Sequence, residues 1–312
     1  MEFDEIIPEI TVVMPVYNSE EFLPEAISSI LNQSYTNFEF LIVYDESNDN
    51  SLKILNKYSK LDPRVRVIKG NKSGISGALN KGLQESKGRF VARMDADDIS
   101  NIDRLETQLK YLKDNSLDIC GSHHTIINKL GDEIGLFVAP ITHESCTLAL
   151  AFEVPFVHPS VMIRNLFFSR NNLLYGQSKY KNAEDYDLWT RMQEAGAKFG
   201  NIDVSLLKYR VLENSLSGLN SKMVLKDTKA LSHKSFSKNY YQNLKNIEFI
   251  INKANSKEQL LVARFLIISL FKFRFNKINL ITKISLKIII YAILSEMLKR
   301  IRSLFNKIPE LK

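Results

Sequence analysis

Over its first hundred residues the chain passes through seven segments of alternating hydrophobic period, and that alternation restricts the fold more than any single motif. Short β-branched or aromatic runs, Ile10 to Pro15, Phe38 to Asp45, Arg64 to Gly70 and Arg89 to Asp95, are separated by stretches with helical spacing. Leu23, Ala26, Ile27, Ile30 and Leu31 set that spacing within Glu20 to Gln33, and Leu52, Ile54, Leu55 and Tyr58 repeat it. "ISGALNKGLQES" supplies the third helix. Parallel strands need long crossovers, usually helical, so this pattern predicts an α/β domain with a largely parallel sheet.

In open α/β sheets, ligands bind beyond the carboxyl ends of the strands. Tyr17 and Asn18 follow the first predicted strand, Asp45 ends the second, Lys72 to Gly74 follow the third, and Asp95, Asp97 and Asp98 end the fourth. All these polar clusters therefore fall on one rim. Three carboxylates within four residues repel one another. A hard divalent cation, Mn²⁺ or Mg²⁺, would remove the repulsion, since such ions take oxygen ligands and bridge to phosphate oxygens. The alternative is a solvated acidic turn, or Asp98 as N-cap of a helix through "ISNIDRLETQLKYL".

The second half is less regular. "DICGSHHTIIN" and "DEIGLFVAP" predict a strand pair across "KLGDE", and "NAEDYDLWTRMQEAGAKFGNI" predicts a helix, a glycine break and a strand. After about Ser217 the composition turns to Lys, Asn and Ser between amphipathic stretches, which places a domain boundary near residue 220.

Four blocks, "ITVVMPVYNSEEFLPEAISSIL", "LIVYDESNDNSL", "ARMDADDISNIDRLETQ" and "AEDYDLWTRM", resemble in order and spacing those of the family 2 glycosyltransferases with the GT-A fold. The resemblance covers roughly residues 8 to 217. It implies a GT-A type, Rossmann-like mixed sheet flanked by helices. Residues 1–217 would be the catalytic domain, with a nucleotide-binding half to about residue 100 and an acceptor half over 101–217. Residues 218–312 would be a basic, amphipathic helical tail.

By the same resemblance Pro15 and Tyr17 line the nucleotide base, and Asp45 binds base and ribose. Gly74 and Asn80 are further donor contacts. Asp95 and Asp97 form the D-x-D, with Asp97 the direct metal ligand, and Asp185 is the general base of an inverting hexosyl- or N-acetylhexosaminyltransferase. The chain departs from the family pattern at "YDES", where Tyr44 and Glu46 replace an aspartate and a glycine, and at Leu79, where an arginine is common. It departs again at Leu212, where many relatives carry a histidine, leaving Arg210 as the candidate cation of that segment.

Several residues carry two readings. His158, before Pro159 in an extended or turn segment, is either an active-site or a structural histidine. Trp189 either stacks on an acceptor sugar or belongs to the core. Glu184 either raises the pKa of Asp185 or caps a helix. Lys72, Arg93 and Arg104 are diphosphate or carboxylate partners, or only balance charge. His123 and His124 have no ligand-like neighbours in sequence.

Two cysteines exclude a disulfide framework and read as ordinary thiols in a reducing compartment. The N-terminal "MEFDEIIPEI" lacks the basic and apolar regions of a secretory signal, which predicts a cytoplasmic protein. The net charge of +7 is concentrated at the end: from Leu260 onward eleven cations face only Glu296 and Glu310. Charges interrupt the apolar stretches there before a membrane-spanning length is reached. The tail therefore reads as an amphipathic surface for anionic lipid on the inner face of the cell membrane, or as a helical appendage packed on protein.

The expected reaction is transfer of a sugar from a nucleotide-diphospho-sugar, UDP-linked, to a saccharide acceptor that such a tail suggests is lipid-linked, in surface polysaccharide assembly. A sugar nucleotidyltransferase is the first rival, but its glycine-rich basic loop is missing where "PVYNSEEF" stands. A nucleotide-sugar-binding protein without turnover is the second, and a nucleic-acid partner is disfavoured by the tail's aliphatic content.

Overall fold

The computed structural model describes residues 7–212, 221–253, 258 and 260. Strands β1 (Ile10–Val16), β2 (Phe38–Tyr44), β3 (Val65–Lys69) and β4 (Phe90–Arg93) form a parallel half-sheet in the order β3-β2-β1-β4. Val12 lies between Phe40 and Ala92, and β1 and β2 are buried along nearly their whole length, as expected of strands covered on both faces. The crossovers are α1 (Leu23–Leu31), α2 (Ser51–Leu61) and α3 (Gly74–Glu85). Leu23, Ala26, Ile27 and Ile30 supply the buried stripe of α1. Gly82 lets α3 approach β1 closely, since a Cβ there would lie 2.4 Å from a Val13 methyl.

The order of the sheet then continues β8-β6-β9-β5. After β4 the chain makes the two-residue β5 (Ile99–Ser100), α4 (Arg104–Asp114), β6 (Ile119–Ile127), β7 (Glu133–Phe137) and α5 (His143–Ala149). A 3-10 turn at His158–Ser160 leads to β8 (Met162–Arg164), α6 (Asn165–Asn171), α7 (Glu184–Glu194) and β9 (Phe199–Arg210). β8 pairs antiparallel with β4, so the sheet reverses direction beside the aspartates that follow β4. The predicted hairpin is β6 with β7, antiparallel, and β9 runs parallel to β6.

One expectation about this region is corrected. Asp98 is not an N-cap, because Ile99 and Ser100 pair with Lys208 and Leu207 of β9 and delay the helix to Arg104. Strand pairing has taken residues that local pattern alone assigned to the helix.

The chain divides into two compact units, one of Met1–Ala139 with Val154–Leu231, the other joining Pro140–Glu153 to the chain from Ser232 on. Helix α8 (Ser221–Lys238) precedes α9 (Tyr240–Lys253), which packs on α5 within the second unit. There the Glu258 carboxylate accepts hydrogen bonds from the Ile141 and Thr142 amides at the start of α5. The sequence boundary near 220 lies beside residues 213–220, which are outside the described residues, as is nearly all of the tail from Leu260 onward. Among the described residues no helix is long and apolar enough to cross a membrane.

Candidate active site

The loops after β1 and β2 are tied to each other by a ladder of hydrogen bonds. The Asn18 amide donates to Ser47 Oγ (3.0 Å), the Asn48 amide to Asn18 Oδ1 (2.9 Å), and the Glu20 amide to Asp49 Oδ2 (2.9 Å). Asn50 returns the contact to Glu20 through its backbone and side chain, both at 2.8 Å. Tyr44, which stands where the family pattern has an aspartate, is buried and braces this loop by accepting the Ser47 amide at 2.9 Å. Tyr17 projects from the ladder with 60% of its surface exposed, and Pro15 is partly buried in β1 beneath it.

Asp45 sits at the end of β2 and accepts the Lys72 amide at 2.9 Å on Oδ1, so the rim after β3 is fastened to it. The Lys72 ammonium is 2.8 Å from Glu46 at the surface. Gly74 opens α3 with φ of +71°, a backbone conformation that glycine adopts without strain, and leaves open space beside it. Asn80 is placed differently from expectation. Its amide donates to the Tyr175 carbonyl (3.0 Å) and accepts the Tyr175 amide (2.8 Å), so it holds the segment before α7 in position.

The loop after β4 gathers the carboxylates of Asp95, Asp97 and Asp98, with oxygens that all lie within 4.8 Å of one another. Burial first, and then the neighbouring Asp95 charge, push Asp97 up to about 6. Asp98 is pushed well above the usual carboxylate range by the same causes, joined by the Asp97 charge. Asp98 is 1% exposed; its Oδ1 accepts the Arg210 amide at 2.9 Å, while Oδ2 is buried without a hydrogen-bond partner. An orphaned buried carboxylate oxygen is costly, and with the other two carboxylates it completes a three-carboxylate donor set suited to a hard divalent cation. Asp98 was missing from the expected ligand pair; the third acidic residue of "DADD" was the signal for it.

Arginines underlie this loop. Arg93, 4% exposed at the end of β4, pairs with the Asp95 carboxylate. Arg104 is fully enclosed: its guanidinium donates to the Arg93 carbonyl at 2.7 Å and to Gln108 at 2.9 Å, which removes it from any diphosphate role. Arg210 is also removed. It is 3% exposed, donates to the Asp97 carbonyl (2.8 Å), the Lys129 carbonyl (2.9 Å) and Glu25 (2.7 Å), and lies 4.5 Å over the Phe22 ring. It shapes the aspartate loop from behind instead of facing a sugar.

The first turn of α7 presents Glu184 and Asp185, both partly buried. Burial and the adjacent Asp185 charge raise Glu184 to about 7. Burial raises Asp185 as well, against a hydrogen bond from the Tyr186 amide (2.7 Å) and the Arg93 charge, both of which favour its ionised form. The Asp95 charge acts on both carboxyls, which brings the α7 pair and the β4 loop into one electrostatic site.

His158 is buried, with Nε2 3.0 Å from the Tyr175 hydroxyl, and burial followed by the Arg93 charge holds it well below the usual imidazole range, hence neutral. Tyr175, absent from the sequence reading, therefore links Asn80, His158 and Arg93; no motif marked it. Trp189 is 0% exposed and packs edge-on against Phe156 and His158, so the sugar-stacking reading is corrected to core. His123 lies 3.0 Å from Asp203 and accepts the Ala139 amide at 3.1 Å, a structural pairing made by β9.

A reversed α/β sheet, polar loops at the carboxyl ends of its parallel half and a carboxylate cluster at its reversal are the features of a GT-A glycosyltransferase. Residues 11–170 match the family model described as Glycosyl transferase family 2, and the chain belongs to that family. It is 32% identical over 213 residues to the O-antigen biosynthesis glycosyltransferase WbnJ of Escherichia coli, covering 67% of this chain and 82% of that one. It is 30% identical over 227 residues to another Escherichia coli protein, UDP-Glc:alpha-D-GlcNAc-diphosphoundecaprenol beta-1,3-glucosyltransferase WfgD, covering 67% and 79%. The mannosyltransferase PcManGT of Pyrobaculum calidifontis, solved with GDP-Man and Mn²⁺, shares the fold with a TM-score of 0.56 at 16% identity, over 93% of this chain and 87% of that one.

Proposed function

We propose that this glycosyltransferase is inverting and metal-dependent, and that it moves a sugar from a UDP-sugar to a saccharide acceptor that is lipid-linked, in surface polysaccharide assembly. The observation that carries the reading is the pairing of a three-aspartate cluster with a second, separate carboxylate pair on α7. The names of the two relatives, one in O-antigen biosynthesis and one acting with UDP-Glc on a diphosphoundecaprenol-linked sugar, support the donor and acceptor classes. The mannosyltransferase solved in complex with GDP-Man and Mn²⁺ supports the metal.

In this reading Tyr17, Pro15 and Asp45 hold the nucleotide, and Gly74 leaves room at the start of α3. Asp97, with Asp95 and Asp98, would hold the cation. When bound, the cation supplies Lewis-acid stabilisation of the negative charge that develops on the departing diphosphate. Asp185 takes the proton from the acceptor hydroxyl as its oxygen bonds to the anomeric carbon and the bond to the diphosphate oxygen breaks on the opposite face. Attack from behind the leaving group inverts the anomeric configuration. Burial makes Asp185 a stronger base than a surface carboxylate, and the Arg93 charge favours its ionised form.

We further place the catalytic domain at 1–217 and a basic amphipathic tail at 218–312, with the enzyme on the cytoplasmic face of the membrane through that tail. Calorimetric titration with UDP, with and without Mn²⁺, tests the core of the reading. Binding should require the metal and vanish in Asp97→Ala. Metal-independent binding, or unchanged binding in the variant, removes the metal role, and binding of GDP or dTDP in place of UDP changes the donor class.

A further inference from the structure

The aspartate loop gathers Asp95, Asp97 and Asp98 within 4.8 Å of one another, and the Asp95 charge also raises Glu184 and Asp185 at the start of α7. Like charges so close oppose both folding and the binding of an anionic diphosphate. Three guanidiniums border the cluster, and they are not equivalent. Arg210 is used up on backbone carbonyls and Glu25 behind the loop, and Arg104 on the Arg93 carbonyl and Gln108. Arg93 alone of the three forms an ion pair with a member of the cluster, Asp95.

Its surroundings are unusual for so buried a cation. The Nε atom is enclosed and has no hydrogen-bond partner. The backbone is fixed at both sides, since the Arg93 amide donates to the Val161 carbonyl (2.9 Å) and the Arg93 carbonyl accepts from Arg104 (2.7 Å). The side chain lines a small apolar recess with Val13, Leu79, Leu83, Ile163 and Tyr175. Its charge acts on Asp97, Asp98, Glu184, Asp185, His158 and Tyr175. A guanidinium in an apolar wall with an unpaired N–H is poorly solvated, so its stability depends on the carboxylates in front of it. That dependence runs both ways.

We infer that Arg93 is the positioning residue of the aspartate loop, anchoring Asp95 from below and supplying the fixed positive charge that lets the three aspartates and an anionic donor share one site. It touches neither donor nor acceptor. The inference rests on the proposed donor class for its ligand test, while the anchor itself can be tested without any ligand.

The experiment uses Arg93→Met, Arg93→Lys, Asp95→Asn and the Arg93→Met/Asp95→Asn double variant in the full chain. Urea unfolding should show strong non-additivity: Arg93→Met is severely destabilising alone and much less so when Asp95 is already neutral. Additive effects would overturn the anchor. Isothermal titration should show Mn²⁺-UDP binding weakened at least about 10-fold in Arg93→Met, with a large part of the loss recovered in Arg93→Lys. Wild-type affinity in a folded Arg93→Met would overturn the positioning role, as would a lysine variant no better than methionine. If the wild-type chain binds none of UDP, GDP and dTDP, the functional reading fails, and the unfolding cycle alone decides the anchor.

Discussion

Asp97 and Glu184 carry protons to higher pH than carboxylates in an unfolded chain, to about 6 and about 7 respectively. A carboxyl whose folded pKa is raised binds its proton more tightly in the native state, so its ionisation destabilises the fold. The unliganded protein should therefore lose stability as pH rises from about 4 to about 7, and level off above, within this pair's contribution. Because a cation competes with the protons on Asp97 and on the still more strongly raised Asp98, Mn²⁺ affinity should climb through about pH 6 and keep rising above it. Titrations at pH 5, 6, 7 and 8 check this; an affinity flat across that range would remove Asp97 from the ligand set. Asp185→Asn keeps the shape but cannot accept a proton, so turnover should fall by roughly 10² to 10⁴ while Mn²⁺-dependent UDP binding stays near wild type. Lost donor binding would instead make Asp185 a donor-site residue. At this scale the sequence was most legible where adjacency in the chain is adjacency in space. "DADD" and "AEDYD" declare themselves because their carboxylates are neighbours along the backbone. Arg210 was misread because its four partners come from residues 25, 97, 128 and 129, separations that no local pattern encodes.

At the scale of elements, β1 to β4 and their helices were readable because each buries a face with its own period, and strands covered on both sides become continuous apolar runs. The start of α4 was not, since the competing partner for Ile99 and Ser100 is β9, more than a hundred residues later. Arg210 at the end of that strand grips the aspartate loop through its amide and guanidinium. Arg210→Met strands the Asp97 and Lys129 carbonyls, should therefore cost roughly 1 to 3 kcal/mol, the range for an unsatisfied buried group, and should also weaken metal binding. Chemical denaturation with parallel Mn²⁺ titration measures both; a stable variant with intact metal affinity would show that Arg210 does not hold the aspartate loop. Asn80 has the same kind of influence over the segment before α7. Replacing it with alanine removes both hydrogen bonds to Tyr175 and should loosen the segment before α7, read as faster hydrogen exchange of the Tyr175 amide; unchanged exchange would remove Asn80 from that role.

For the whole molecule, the reversal of strand direction between β4 and β8 is what sets two chemistries side by side. In the proposed reading the parallel half supplies loops for a nucleotide, and the mixed half returns the chain to add the carboxylates of α7. The charge asymmetry acts at this scale too. With eleven cations and two acids beyond residue 259, a chain ended near residue 260 should lose most of its binding to vesicles containing anionic lipid, read by flotation at low and physiological salt. Retained binding would move the membrane surface to the body of the protein.

The Asp98 carboxylate is held by a backbone amide 112 residues further along the chain. A ribosome adding about 5 to 20 residues per second needs roughly 6 to 22 s to cover that distance. During that interval the nascent chain already carries all three aspartates but has no Arg210 to close the loop around them. Closure of the aspartate loop is thus among the last events as the domain is made, and a chain stalled before β9 is complete holds the acidic sequence without the contact that closes it.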